Sequence, residues 1–139
     1  MIVLDSSFLI ASYNERDAHH RVARRLMDDF LGGKWGNGLL LEYVFLEVVT
    51  VLLVRRNLSV AQRAGRILLE ARELDFVPSA DFFLEAVEIF LSQASTHLSF
   101  TDAAIMAAAR TRCGGLLLTF DEEFRKVREL RPLPERPVS

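Results

Sequence analysis

The chain has 139 residues, a length that suits a single domain able to bury a core without disulfides or structural metal. It is 50% hydrophobic and 26% charged, which excludes disorder over its bulk, and no apolar run approaches the ~18 residues of a membrane span. The lone cysteine, Cys113, excludes an internal disulfide and a thiolate metal cluster, and a net charge of −2 argues against nucleic-acid binding by bulk basicity.

Met1-Ile2-Val3-Leu4-Asp5 has no basic stretch before its apolar run, so it reads as a strand and not as a signal peptide; a cytoplasmic protein is expected. Ser6-Ser7 can cap a helix running to about Tyr13. Asp17 can cap a second, with Val22, Ala23, Leu26 and Phe30 at helical spacing and Gly32-Gly33 as its stop. Gly36-Asn37-Gly38 is turn chemistry ahead of a strand over 39–41. Residues 42–56 are helical by pattern, with apolar residues on more than one face, as in a helix covered both by the core and by a partner. Ser59 can cap the next helix, and Phe76-Val77-Pro78 is a short strand entering a turn. Ser79 opens a helix carrying Phe83, Val87, Phe90, Leu91 and Ala94. Ser99-Phe100-Thr101 caps a small-residue helix over 102–110, stopped by Gly114-Gly115. A strand over 116–118 follows, and residues 131–139 hold three of the four prolines and are expected to fray.

Short, evenly apolar strands alternating with helices imply an α/β fold, a parallel sheet with helices on both faces and right-handed crossovers. Ligands of such sheets bind beyond the carboxyl ends of the strands. Asp5 and Asp121 fall there, and Asp102 falls in the first turn of a helix, at the positive end of its dipole. Glu47 sits inside an apolar helical stretch with no Lys or Arg three or four residues away, where an acid is costly to bury unless paired or bound to a cation. Four carboxylates brought to one sheet edge raise one another's pKa unless a cation neutralises them. An oxygen-only ligand set selects a hard cation, Mg²⁺ or Mn²⁺, and the matching chemistry is phosphodiester hydrolysis. With those four acids neutralised the rest of the chain carries +2, and 15 of its 17 basic residues are arginine, suited to bidentate phosphate contacts.

The segment 1–10, MIVLDSSFLI, resembles the opening of PIN-domain nucleases. Residues 43–52 (YVFLEVVTVL), 98–105 (LSFTDAAI) and 117–124 (LLTFDEEF) are similar to that family's second, third and fourth motifs, in order and across nearly the whole chain. The resemblance implies a PIN-like three-layer α/β sandwich over residues 1–131, followed by a Pro-rich tail over 132–139. It also implies a metal-dependent endoribonuclease acting on single-stranded RNA. The acidic quartet would be Asp5, Glu47, Asp102 and Asp121, both catalytic and metal-holding, with the hydroxyls of Ser6 and Thr119 beside it. Many small members are VapC-type toxins that use Mg²⁺ or Mn²⁺ and are silenced by a VapB-type antitoxin, so an antitoxin and a homodimer are the expected partners. A PIN nuclease of RNA maturation and a catalytically silent binding domain are the rival readings.

Glu42 lies about 140° around the helix from Glu47 at ~100° per residue, so both cannot face one ion, and Glu47 aligns better with the motif. Glu122 and Glu123 read as a solvated acidic helix start, although Glu123 could join the site. His19-His20 reads as a surface helix start and His97 as a loop residue. Trp35 reads as packing over a core edge and Cys113 as a small buried residue. Arg55, Arg56, Arg110 and Arg112 are candidate phosphate contacts or solvated helix ends. A haloacid-dehalogenase-like phosphatase would need a second Asp where Ser7 stands.

Overall fold

The computed structural model describes residues 1–135. The elements are β1 (Ile2–Leu4), α1 (Ser6–Tyr13), α2 (His20–Leu31), β2 (Gly38–Leu41), α3 (Glu42–Arg55), α4 (Leu58–Glu70), β3 (Leu74–Val77), α5 (Phe83–Ser92), α6 (Phe100–Arg112), β4 (Leu116–Leu118) and β5 (Arg131–Leu133), with short 3₁₀ turns over Ser79–Phe82 and Glu122–Lys126. The five strands form one sheet in the order β3-β2-β1-β4-β5, and every pairing is parallel. Successive residues of a strand face opposite sides of a sheet. All three residues of β1 and Leu39, Leu40 and Leu41 of β2 are at most 1% exposed, so helices cover both faces, as the alternation of elements predicts. Among the described residues no helix is long and apolar enough to cross a membrane.

The chain leaves β1 toward β2 and β3 on one side and later returns to place β4 and β5 on the other. The order therefore reverses at β1, and the crevice between the carboxyl ends of β1 and β4 is where parallel sheets bind ligands. Helix α6 packs against both strands. Its seven consecutive buried residues from Ala103 to Ala109, five of them alanine, allow a close approach to the sheet. Gly38 opens β2 because a Cβ there would meet the Phe30 ring at 2.7 Å and Leu74 at 2.9 Å.

Several local expectations shift. Asp17 lies outside α2 and organises the turn before it, accepting from His19 N at 2.8 Å. The cap of α4 is Asn57, whose side chain accepts from Val60 N at 2.9 Å, and not Ser59. Ser79 opens a 3₁₀ turn instead of α5, and its hydroxyl accepts from Tyr43 N at the start of α3. Helix α3 buries a single stripe of Val44, Val48 and Leu52, while Leu46, Leu53 and Val54 are exposed. Arg131–Leu133, expected to fray, is a sheet strand. It tolerates Pro132 because an edge strand need not donate on its outer side. Of the tail expected over 132–139, residues 136–139 lie outside the described residues.

The turn from α6 to β4 is under tight steric control. Gly115 has a φ of +85°, its carbonyl accepts from Arg131 N at 2.7 Å, and a Cβ on it would run into the Glu129 carbonyl oxygen. Gly114 has a φ of +58° and open space around it. Gly114→Ala should cost about 1–2 kcal/mol, the usual cost of a left-handed residue, and Gly115→Ala distinctly more. Urea unfolding of both variants checks this; equal losses would show that the Glu129 backbone yields.

Candidate active site

Asp5 follows β1 directly and extends it, its N–H donating to Leu118 O of β4 at 3.0 Å. The side chain does not cap α1 and is 2% exposed. Its Oδ2 accepts from Ser7 Oγ at 2.6 Å and from Thr119 Oγ1 at 2.7 Å, and Ser6 Oγ donates to Oδ1 at 3.4 Å. The two stronger donors are themselves held by the segment after β4. Ser7 Oγ accepts from Phe120 N and Thr119 Oγ1 from Asp121 N, each at 2.9 Å. The Asp5 carboxylate is thereby fixed by a hydroxyl lattice that ties the ends of β1 and β4 together.

Asp5, Glu47, Asp102 and Asp121 line one pocket of about 470 Å³ beyond these strand ends. Glu47 reaches it from the middle of α3. It is exposed on the pocket's open side, not buried in the core as its apolar neighbours suggest. Glu42, in the first turn of α3, does not line the pocket. Asp102 is the third residue of α6 and forms a capping box with Ser99: its Oδ2 accepts from Ser99 N, and Ser99 Oγ accepts from Asp102 N, both at 3.0 Å. Asp121 spends Oδ1 on Glu123 N at 2.9 Å. Glu122 and Glu123 pair with Arg125 and Lys126 along the next turn and do not line the pocket.

Burial pushes the Asp5 carboxyl above its ordinary value, the Ser7 and Thr119 hydroxyls oppose this, and the Asp121 charge adds to it. Glu47 is raised first by partial desolvation, then by Asp5 and Asp121, against a hydrogen bond from Ser6. Asp102 is pushed up to about 6, chiefly by burial, with the Asp5 and Asp121 charges adding and the Ser99 hydrogen bonds opposing. Among the described residues none of the four acids has a Lys, Arg or His within ion-pairing distance. The donor set suits a hard cation by its chemistry, being oxygen only and negatively charged without a counter-charge. As they stand, no three His, Cys, Asp or Glu side chains among the described residues are grouped to hold a metal ion; the acids border an open pocket and not a closed cage.

Sequence reasoning missed several lining residues. Ser7 is a stronger partner of Asp5 than Ser6, and its spacing two residues after the acid, on the first turn of α1, was the available signal. His19 stacks on Phe120 with ring centroids 4.4 Å apart and planes within 6°, and both rings line the pocket. Phe120 lies between two site residues in the chain. His19 arrives from the turn before α2, and no local pattern announces it. Arg55 also lines the pocket, whereas Arg56 turns away to donate to Asn14 Oδ1 at 3.1 Å. His97, Arg110 and Arg112 stay exposed outside it. Trp35 packs on the core edge and Cys113 is buried.

The PIN-domain family model matches residues 2–130, and the chain belongs to that family. Within it, the fold is that of the VapC-type toxins. The Mycobacterium tuberculosis toxin VapC20, described as cleaving the sarcin-ricin loop, is 27% identical over 91% of this chain and 94% of its own, with a TM-score of 0.78. A Klebsiella pneumoniae toxin–antitoxin complex is 16% identical, covering 94% of this chain and 96% of its own with a TM-score of 0.64. Rickettsia felis VapBC2 bound to a promoter DNA fragment is 17% identical, covering 95% and 97% with a TM-score of 0.66. No curated protein matches the chain in sequence.

The raised value of Asp102 sets a pH dependence. A carboxyl that holds its proton more tightly folded than unfolded stabilises the fold below its unfolded value, and that contribution is lost as pH rises through the folded value. In metal-free buffer the stability of Asp102→Asn relative to wild type should therefore increase from about pH 4 to about pH 6. Asparagine keeps an oxygen for the capping box, so the comparison isolates the charge. Urea unfolding across that range in the presence of a chelator reads it, and a flat difference would show that Asp102 ionises as freely as in the unfolded chain.

Proposed function

We propose that the protein is a Mg²⁺- or Mn²⁺-dependent endoribonuclease of single-stranded RNA, the toxin of a toxin–antitoxin pair, acting in the cytoplasm as a homodimer. The observation that carries this reading is the arrival of Asp5, Glu47, Asp102 and Asp121 in one pocket at the sheet's switch point, none of them ion-paired among the described residues. These four would hold the cation. Mg²⁺ binds through one or two carboxylates together with substrate phosphates and keeps several waters, which suits an open pocket. When bound, such an ion lowers the pKa of water and neutralises charge gathering on the phosphate.

The chain's own groups do the positioning. Ser7 and Thr119 hold the Asp5 carboxylate at fixed orientation, and Ser6 stands between Asp5 and Glu47. The His19–Phe120 stack presents an aromatic face at the pocket. An unpaired base can lie on such a face, while a base in a duplex is already stacked. Support for RNA as the substrate comes from the likeness to VapC20, a sarcin-ricin loop cleaving toxin. Support for a VapB-type antitoxin comes from the Rickettsia complex of the same fold. The homodimer accounts for an uncovered apolar face on α3 and α4, where Leu53, Leu58 and Leu69 are 48–61% exposed and border an apolar groove.

Cleavage of a fluorescent single-stranded RNA with added Mg²⁺ or Mn²⁺ tests the reading. Asp5→Asn should abolish cleavage with the fold intact, and His19→Ala should lower kcat/KM about tenfold, the worth of one stacked base. Metal at ~100 times its dissociation constant should stabilise the wild type by about 2.7 kcal/mol. Glu47→Gln should shrink that gain and Glu42→Gln should not. A wild-type protein that binds RNA yet cleaves none with either metal would make it a silent binding domain.

A further inference from the structure

A second pocket, of about 390 Å³, opens beside the acidic one and carries the opposite charge. Arg24 of α2, Arg56 at the end of α3 and Arg63 of α4 line it with Tyr13 and His20, against a single acid, Glu15. None of the three guanidiniums is ion-paired among the described residues. Three like charges set against one acid leave a net positive pocket, which favours an anion from outside. Arg56 is held in place: its guanidinium donates to Asn14 Oδ1, and Asn14 is buried and also accepts from Arg16 N. The two pockets adjoin, since the consecutive residues Arg55 and Arg56, and likewise His19 and His20, line one each.

We propose that the Arg24, Arg56 and Arg63 pocket seats a backbone phosphate of the RNA substrate, flanking the phosphodiester that sits over the acids. This rests on the reading of the acidic pocket as the RNA-cleaving site. Guanidinium groups match phosphate oxygens with two parallel N–H bonds each. The Tyr13 hydroxyl adds a neutral donor at the pocket wall. A polyanion approaching a pocket of four acids is repelled, and a cationic pocket one step along the strand offsets that repulsion. This explains how a chain with a net charge of −2 takes a nucleic acid without a general basic surface. An acidic peptide would also satisfy the arginines, but it would have no reason to need a pocket adjoining the acid cluster.

The test is the double variant Arg24→Gln/Arg63→Gln in the full chain. Both residues are exposed, and an unchanged melting temperature shows that the fold is kept. KM for a single-stranded RNA should rise at least about tenfold with kcat within about twofold, and the slope of log KM against log salt should fall by about 0.7, the value for one single-strand phosphate. Arg128→Gln, exposed and outside both pockets, should change neither. The same variants in an Asp5→Asn background are read by fluorescence anisotropy with a labelled oligouridine, which requires no cleavage. Weakened binding there with no cleavage by the wild type would overturn the nuclease reading and keep the phosphate pocket. Unchanged RNA affinity and salt slope would overturn the proposal. So would loss of binding to a poly-glutamate peptide with RNA binding intact, which would assign the pocket to a protein partner.

Discussion

A carboxylate at the carboxyl end of the first strand, almost fully buried at the floor of an open pocket and held only by hydroxyls and backbone, is the constraint around which the rest of the site is arranged. Burying an acid without a counter-charge costs stability, and Asp5 meets that cost only in part, through Ser7 and Thr119. Those hydroxyls are held by Phe120 N and Asp121 N. The position of the acid therefore depends on where the segment after β4 runs, and that segment carries the next acid. Satisfying Asp5 and placing Asp121 are one structural act. The three acids with raised values share burial as the largest cause, and repulsion inside the group adds a smaller rise. The site is a region of stored unfavourable charge that a cation can relieve.

The fold makes this placement possible. Parallel strands of three or four residues are too short to enclose a pocket themselves, but the reversal of order at β1 leaves a crevice between two helix-bearing connections. Helix α1 starts at one strand end and α6 lays its first turn beside it. Helix α3 leaves β2 without an intervening loop, so its middle crosses the crevice and delivers Glu47. The alanines of α6 matter here, because a bulkier helix would sit farther from β1 and β4 and carry Asp102 away.

Much of this was readable from residue order alone. The strand–helix alternation is written in short apolar runs broken by Gly and Ser, and it led to the parallel sheet. Each of the four acids stood out by position: two at strand ends, one in a first helical turn, one among apolar residues. The structure brings all four to one pocket. Glu47 lies off the buried stripe of Val44, Val48 and Leu52 and faces the open side, so the apolar stretch around it overstates its burial. The hydroxyl lattice was legible only in outline, because whether Ser6 or Ser7 turns toward Asp5 depends on the phase of α1 against the sheet. The contact of His19 with Phe120 joins residues a hundred positions apart, and no local periodicity encodes such a pairing. The edge strand at Arg131–Leu133 was hidden by its proline, which reads as a breaker until its edge position is known.

The central claim is that the acidic pocket stores like charge that a divalent cation relieves. Calorimetric titration of the wild-type protein with Mn²⁺ near pH 6, in two buffers of different ionisation enthalpy, measures the protons released on binding. Ligand carboxylates must give up their protons to bind metal. With the Asp102 value at about 6, about half a proton should leave that group on binding. Release should shrink in Asp102→Asn. Mn²⁺ binding that releases no protons at this pH, or a release that Asp102→Asn leaves unchanged, would contradict the account.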